Sequence, residues 1–479
     1  MLFSSYQFFV FLWTTIVVLA LAGRIGQRTF LLTMIVCSLV FYGWLRADYT
    51  LILVGSAGVN FAIATRLEQN RSKALFGCGV AFNLILLGVF KYADFAVANG
   101  NTLFHAGWTL PHIVLPLALS FITFEQISFL SDVRSKKVAR GDFLRYFAFV
   151  TFFPKLIAGP IIRYRELLPQ LSRAGVNSAE RVFTGLCLFC FALFKKVVIA
   201  DGLAPMVDQT VSNLQSGGMA SQADAISALL AYSLQIFFDF SSYSEMAIGI
   251  AWIFGIQLPV NFNSPYKASS LIDFWRRWHI TLSSFLRDYV YFPLGGSRDG
   301  LLRTSINLLV VMLVGGIWHG AAWTFVAWGF LHGVALVAAH GLHGTQLARR
   351  SKDGWIGRTL AWASSMGIVL FAWILFRSPD FSTAERWFLS IITNYDVHVR
   401  TVGIPQRWFI LSALLWVLCL PNVPKLFCIE IDRDKVNWNS PAGIPPAKLW
   451  IAAVAAIALV ASIVFIAREE TNAFIYFQF

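Results

Sequence analysis

Hydrophobic residues along this chain fall in long continuous blocks separated by short polar breaks, not in the strict alternation of a half-buried strand. Blocks near 8–23, 29–45, 49–65, 74–92 and 112–131 open the chain. Further blocks lie near 182–200, from 225 onward, twice within 305–341, and near 359–376, 408–420 and 449–467. At 1.5 Å rise per residue such runs match the hydrocarbon thickness of a bilayer, about 30 Å. The pattern predicts an all-α polytopic membrane protein with about eleven transmembrane helices plus re-entrant or interfacial ones. Continuous runs speak against a transmembrane β-barrel. A single membrane-embedded domain over 1–479 is the expected organisation.

Several breaks in the pattern carry information. The run 146–162 contains Pro154, Lys155, Gly159 and Pro160, with Arg163 and Arg165 just beyond. It reads either as a re-entrant element or as a kinked spanning helix. The connection 93–111 has no Lys or Arg, whereas 66–73 and 134–145 are basic. The positive-inside rule therefore puts the N-terminus and 93–111 outside and the basic stretches in the cytoplasm. A second stretch without Lys or Arg, 201–224, reads as another outer loop, and 378–406 as a third. The basic loop with Arg349, Arg350 and Lys352 and the stretch 422–448 read as cytoplasmic, and the tail 469–479 as outside.

Composition sharpens the class. Of 479 residues 57% are hydrophobic and 13% charged, about half the charged share of a soluble domain. The net charge of +13 fits basic cytoplasmic loops and does not call for nucleic acid. The first block lacks a basic region ahead of it and a clear small-x-small cleavage site, so it reads as a retained helix. The six cysteines are scattered, and Cys187 and Cys190 form a lone C-x-x-C inside an apolar run. Without a second pair they read as buried small side chains, and no metal site is expected.

Polar residues embedded in apolar blocks are the candidates for chemistry. Asp239 and Glu245 sit in the block that begins near 225, and are expected to face the protein interior. His319, between Trp318 and Gly320, lies mid-run with Gly315 and Gly316 close by. A neutral imidazole there can accept the proton of a hydroxyl attacking a thioester, carry an acyl group, or pack as a buried helix histidine. Flanking glycines would let a substrate approach closely. His332, in Trp328-Gly-Phe-Leu-His-Gly333, is buried and reads either as catalytic or, in preference, as a structural or supporting residue bonded to a neighbouring helix. His105, His112, His343 and His398 fall in loops or at span ends, and His340 ends a span. The stretch 261–303 interleaves Arg276, Arg277 and Arg287 with Trp275 and Trp278. It suits either an amphipathic helix along the headgroups or the rim of a pocket for a phosphate-bearing donor.

Phe274-Trp-Arg-Arg-Trp-His279, forty residues before His319, resembles the membrane-bound O-acyltransferase family when taken together with Trp318-His-Gly320. Phe153-Pro-Lys-Leu-Ile-Ala-Gly-Pro160, the stretch 238–249 and Arg287-Asp-Tyr-Val-Tyr-Phe-Pro-Leu-Gly-Gly296 extend the likeness, in particular to the bacterial branch typified by the membrane subunit of alginate O-acetylation. The family-like core covers about 110–345 and is followed by C-terminal helices over 355–479. The resemblance implies a helical shell around a central tunnel, in a bacterial inner (cytoplasmic) membrane. It implies His319 as the invariant histidine and His279 as its upstream partner. His319 would assist acyl transfer and His279 would position or polarise the thioester. Trp318, His332, Asp239 and Glu245 would support them, and Trp275, Arg276, Arg277, Trp278 and Arg287 would receive the donor. The implied donor is acetyl-CoA or another acyl thioester, with no bound cofactor. The implied partners are the lipid bilayer, a periplasmic acetyltransferase protein and a polysaccharide acceptor such as alginate. Rival expectations are D-alanyl transfer to teichoic acid, acetylation of peptidoglycan or cellulose, a lipid-directed acyltransferase, and an export scaffold without chemistry.

Overall fold

A computed structural model describes residues 1–44, 46–176, 178–342, 354–393, 402–432, 436, 438, 449–468 and 474. Every regular element among them is helical. Nine described helices are long and apolar enough to cross a membrane. Two shorter apolar helices, Gln27–Gly43 and Ile404–Cys419, coincide with two further expected spans. The chain is a polytopic helical membrane protein. His343, His398, Arg349, Arg350, Lys352 and most of 469–479 lie outside the described residues.

Helix starts follow local chemistry. Ser5 accepts from the Phe8 N–H, Ser72 from Leu75, Asp142 from Arg145 and Asp380 from Thr383, each satisfying a backbone donor that the first turn leaves unpaired. Several expected loops are helix instead. Lys73–Phe104 continues through most of the expected outer loop 93–111. Asp201–Gln215 fills much of 201–224, and Phe381–Ile392 lies within 378–406. The expected span 112–131 begins only at Leu119, since Pro111 and Pro116 keep the preceding chain non-helical. The block 146–162 is not one helix. It breaks into Phe143–Thr151, a single turn Phe153–Leu156 with Pro154 in its first turn, and an irregular stretch before Tyr164–Leu171.

The chain divides into two compact units, and the divide falls inside the helix Gln222–Ile253, after Ser241. The first unit holds 1–194, 242–260 and the described residues of 427–478. Polar side chains tie its helices together: Asn60 and Asn83 exchange hydrogen bonds, and Gln126 accepts from Ser56 at 2.9 Å and from Asn60. Lys155 and Glu125 form a buried ion pair at 2.5 Å. In an apolar surround such contacts fix which helix faces meet.

The second unit holds 195–241 and the described residues of 261–426. Its centre is a tight pair of helices, Gly300–His319 and Trp323–Leu342. A Cβ on Gly316 would collide with the carbonyl of Phe325, and one on Gly329 with that of Met312. These glycines therefore serve close helix packing. Of the three glycines expected to admit substrate beside His319, Gly316 faces the second helix and Gly320 the Phe325 ring, whereas a Cβ on Gly315 would meet only Leu286 at 3.5 Å.

Candidate active site

The stretch 261–303, read as either an amphipathic helix or the rim of a donor pocket, contains no single long helix but a run of short pieces: Leu271–Arg277, Ile280–Leu286 and a π-helical turn Arg287–Tyr291. The first two are separated by Trp278 and His279. His279 adopts φ +41°, a left-handed conformation that is strained for a residue with a Cβ. Such a residue persists where its surroundings over-determine it. Here a short irregular strip, 261–263, clasps the break. The Ile280 N–H donates to the Asn261 carbonyl at 2.9 Å, and the Asn263 N–H to the Arg277 carbonyl at 2.9 Å.

The His279 side chain is fully buried. Its Nδ1 lies 3.0 Å from Asn261 Oδ1. The same oxygen accepts from the Thr281 backbone N–H at 3.3 Å and from the Thr281 hydroxyl at 2.9 Å. Nε2 is buried with no hydrogen-bond partner among the described residues. Phe240 meets the ring edge to face at 4.6 Å between centroids, and Phe262 stacks on it at 6.3 Å. With no charge among these neighbours, burial alone pushes the imidazole down to about 3, so it is neutral near pH 7.

His319 is the last residue of Gly300–His319, not a mid-run residue, because Gly320 turns to extended backbone. Its ring lies 5.0 Å from Trp318, 5.2 Å from Trp328 and 5.0 Å from Phe376. Trp318 is shared: its indole is 6.1 Å from the His279 ring. Two histidines forty residues apart in sequence thus pack against one tryptophan. Residues 133–376, which include both, match the membrane-bound O-acyltransferase family.

The chain belongs to the membrane-bound O-acyltransferase family. It is 33% identical to the peptidoglycan O-acetyltransferase of Helicobacter pylori, over 94% of this chain and 91% of that protein. It is 35% identical to the probable alginate O-acetylase AlgI of Pseudomonas aeruginosa, over 93% of this chain and 88% of that protein. The teichoic acid D-alanyltransferase of Bacillus subtilis is 27% identical over 47% of this chain and 59% of its own length. The chain is therefore a membrane acyltransferase.

The other predicted site residues of this acyltransferase divide by environment. His332 is fully buried beside Trp275 (5.1 Å) and Trp328 (4.9 Å), and neither ring nitrogen has a hydrogen-bond partner among the described residues. Trp328 also touches His319, so Trp275, His332 and His319 form one aromatic cluster. Trp278 is buried among Phe237, Phe262, Tyr266, Phe274 and Trp373, which makes it a core residue with no face for a donor. Arg277 is tied to Asp273 at 2.8 Å. Arg276 and Arg287 are exposed, and Arg287 pairs with Asp288 at 2.8 Å. Asp239 pairs with Lys196 at 2.7 Å. Glu245 is buried in the part of its helix that belongs to the first unit. Cys187 and Cys190 are free, and no cluster of metal-ligating side chains occurs among the described residues.

Sequence reasoning missed Asn261, Lys196 and Asp201. Lys196 had a usable signal, since a lysine inside a long apolar run requires a buried partner. Asn261 had none: it lies in irregular chain eighteen residues before the histidine it touches.

Proposed function

We propose that this acyltransferase moves an acetyl group from a cytosolic thioester, acetyl-CoA, to the far side of a bacterial inner membrane. There it serves O-acetylation of an exopolysaccharide such as alginate, with a periplasmic partner protein completing the transfer. The observation that carries the reading is the pair of buried histidines, His279 and His319, packed against Trp318. The relatives that match nearly the whole chain are named for O-acetyl transfer, whereas the D-alanyl relative matches about half.

In this reaction a hydroxyl oxygen attacks the thioester carbonyl carbon, its proton passes to an imidazole, and the carbon–sulfur bond breaks. The thiolate takes up the proton and leaves as free coenzyme A, so atoms and charge balance. His319 stands at the acyl transfer in this scheme. Trp275, Trp328 and His332 support it, and the exposed Arg276 and Arg287 meet the anionic donor.

A second reading, acetylation of peptidoglycan, is favoured by the Helicobacter relative, which matches the chain to a similar extent. One experiment tests both. A null strain is complemented with wild type or His319→Ala, membrane levels are matched, and ester-bound acetate is measured on secreted polysaccharide and on peptidoglycan separately. Restoration by wild type alone is expected, with His319→Ala lower by roughly a hundredfold or more. Equal restoration by both would remove His319 from the chemistry. The polymer that gains acetate identifies the acceptor, and D-alanine ester without acetate would overturn the acetyl reading.

A further inference from the structure

We infer that Asn261 is a positioning residue that fixes His279 as its Nδ1–H tautomer, and so presents Nε2 as the acceptor for the attacking hydroxyl. For its consequence the inference rests on the acyl-transfer reading of the His279–His319 pair, and it gives the hydroxyl proton of that scheme to His279 and leaves His319 at the acyl group; the tautomer itself does not rest on that reading.

The tautomer follows from one oxygen. A carboxamide can usually be turned either way, so its oxygen and nitrogen must be assigned from their partners. Here the Thr281 backbone N–H, which can only donate, points at the Asn261 terminal atom at 3.3 Å. That atom must be the oxygen. The Thr281 hydroxyl donates to the same atom at 2.9 Å. The oxygen can only accept, so the His279 Nδ1 at 3.0 Å from it must carry the proton. A neutral imidazole has one N–H, which leaves the lone pair on Nε2. Nε2 is the buried nitrogen for which no described residue provides a partner.

The consequence bears on the division of labour. Polarising a thioester carbonyl requires a donor. A neutral His279 held by Asn261 has no N–H at Nε2, so it cannot act that way. It can accept a hydrogen bond from a hydroxyl and then its proton, after which the positive ring keeps its Nδ1–H on Asn261. The left-handed backbone at His279 serves the same end: the clasp by 261–263 holds the ring in the register that its oxygen partner requires. The neighbours that face the ring are Phe240 from the helix Gln222–Ile253, Asn261 and Phe262 from the clasp, Thr281 through that oxygen, and Trp318. None of them titrates, so the amide sets the tautomer without a competing charge.

Two readouts test this. Protein labelled with nitrogen-15 histidine is purified in detergent, and the His279 signals are assigned by their loss in His279→Gln. Wild type should show protonated Nδ1 and unprotonated Nε2, and Asn261→Ala should move towards the other tautomer. A protonated Nε2 in wild type would overturn the inference, and this arm stands even if the Asn261 variants accumulate poorly. The second readout is kinetic. Asn261→Ala should lower kcat by roughly tenfold to a thousandfold, with KM for acetyl-CoA little changed. Asn261→Asp keeps an acceptor on Nδ1 and should recover much of the rate. Its carboxylate favours the protonated ring, so activity should fail at a higher pH on the acid side than in wild type. No recovery in Asn261→Asp, with both variants folded, would overturn the positioning role. A tautomer that changes as expected while kcat does not would overturn the part given to His279 in catalysis and leave the tautomer assignment standing.

Discussion

Nζ of Lys196 lies 2.7 Å from Oδ1 of Asp239, and 2.6 Å from Oδ1 of Asp201. All three side chains are buried. Lys196 belongs to the π-helical turn Lys195–Ala200, whose wider winding interrupts an otherwise regular helix. Next to it, Lys195 donates to the Ser241 hydroxyl at 3.1 Å. Two lysines of one turn thus hold residues 239 and 241, on either side of Phe240, the residue packed against His279. A buried ion cluster is costly to break because it leaves an uncompensated charge.

Lys196→Met should therefore leave two buried carboxylates facing each other and destabilise the protein by about 3–5 kcal/mol. Asp239→Asn keeps the Lys196–Asp201 pair and should cost less. Thermal unfolding of purified protein in detergent checks the order. Equal midpoints for wild type and Lys196→Met would show that the cluster does not hold the fold.

The main helices were legible because hydropathy summed over eighteen or more residues outweighs any single polar side chain. Their ends were not. Lys73–Phe104 runs past its apolar block because Asn99 bonds back to the Phe95 carbonyl at 2.7 Å and Thr102 to that of Ala98 at 3.1 Å. These polar residues satisfy themselves within the helix and need no loop. The sequence marked His279 and His319 as chemically notable, and it marked the glycines around His319. It could not show that Gly316 is a packing residue, since close approach to a helix and close approach to a substrate ask for the same side chain. Trp278 and Arg276 read alike in an aromatic and basic stretch, yet one is core and the other is exposed. Two residues apart, they lie about 200° around the helix from one another, so one faces the core and the other the outside.

Burial of His279 has a pH signature. Its pKa is about 3 in the folded protein and about 6.5 in the unfolded chain. Below 6.5 the unfolded state binds a proton that the folded state does not, so stability falls as pH falls, through the window from about 6.5 towards 3. The slope from this one group is about 1.4 kcal/mol per pH unit. His279→Gln lacks the group, so the gap between its unfolding free energy and that of wild type should narrow as pH drops from 7 to 5. A gap that stays constant over that range would mean the ring is not held neutral.

Donor capture should depend on charge, not on the aromatic residues between the charges. Arg276 is exposed, and Arg287 is exposed while tethered to Asp288. An exposed guanidinium can take a phosphate through paired N–H donors, and it binds ground state and transition state alike. Arg276→Ala should therefore raise KM for acetyl-CoA by roughly three- to thirtyfold with kcat nearly unchanged. Arg287→Ala should add to this, because it removes a second exposed guanidinium from the same stretch. Trp278→Ala should behave differently. Its indole fills a space among five other rings, so the loss should appear as about 3–5 kcal/mol of stability and a lower membrane level. Initial rates over a range of acetyl-CoA concentrations, with unfolding midpoints on the same preparations, separate the two effects. An unchanged KM in the double arginine variant would move the donor site away from this stretch, and a normal midpoint for Trp278→Ala would contradict its place in the core.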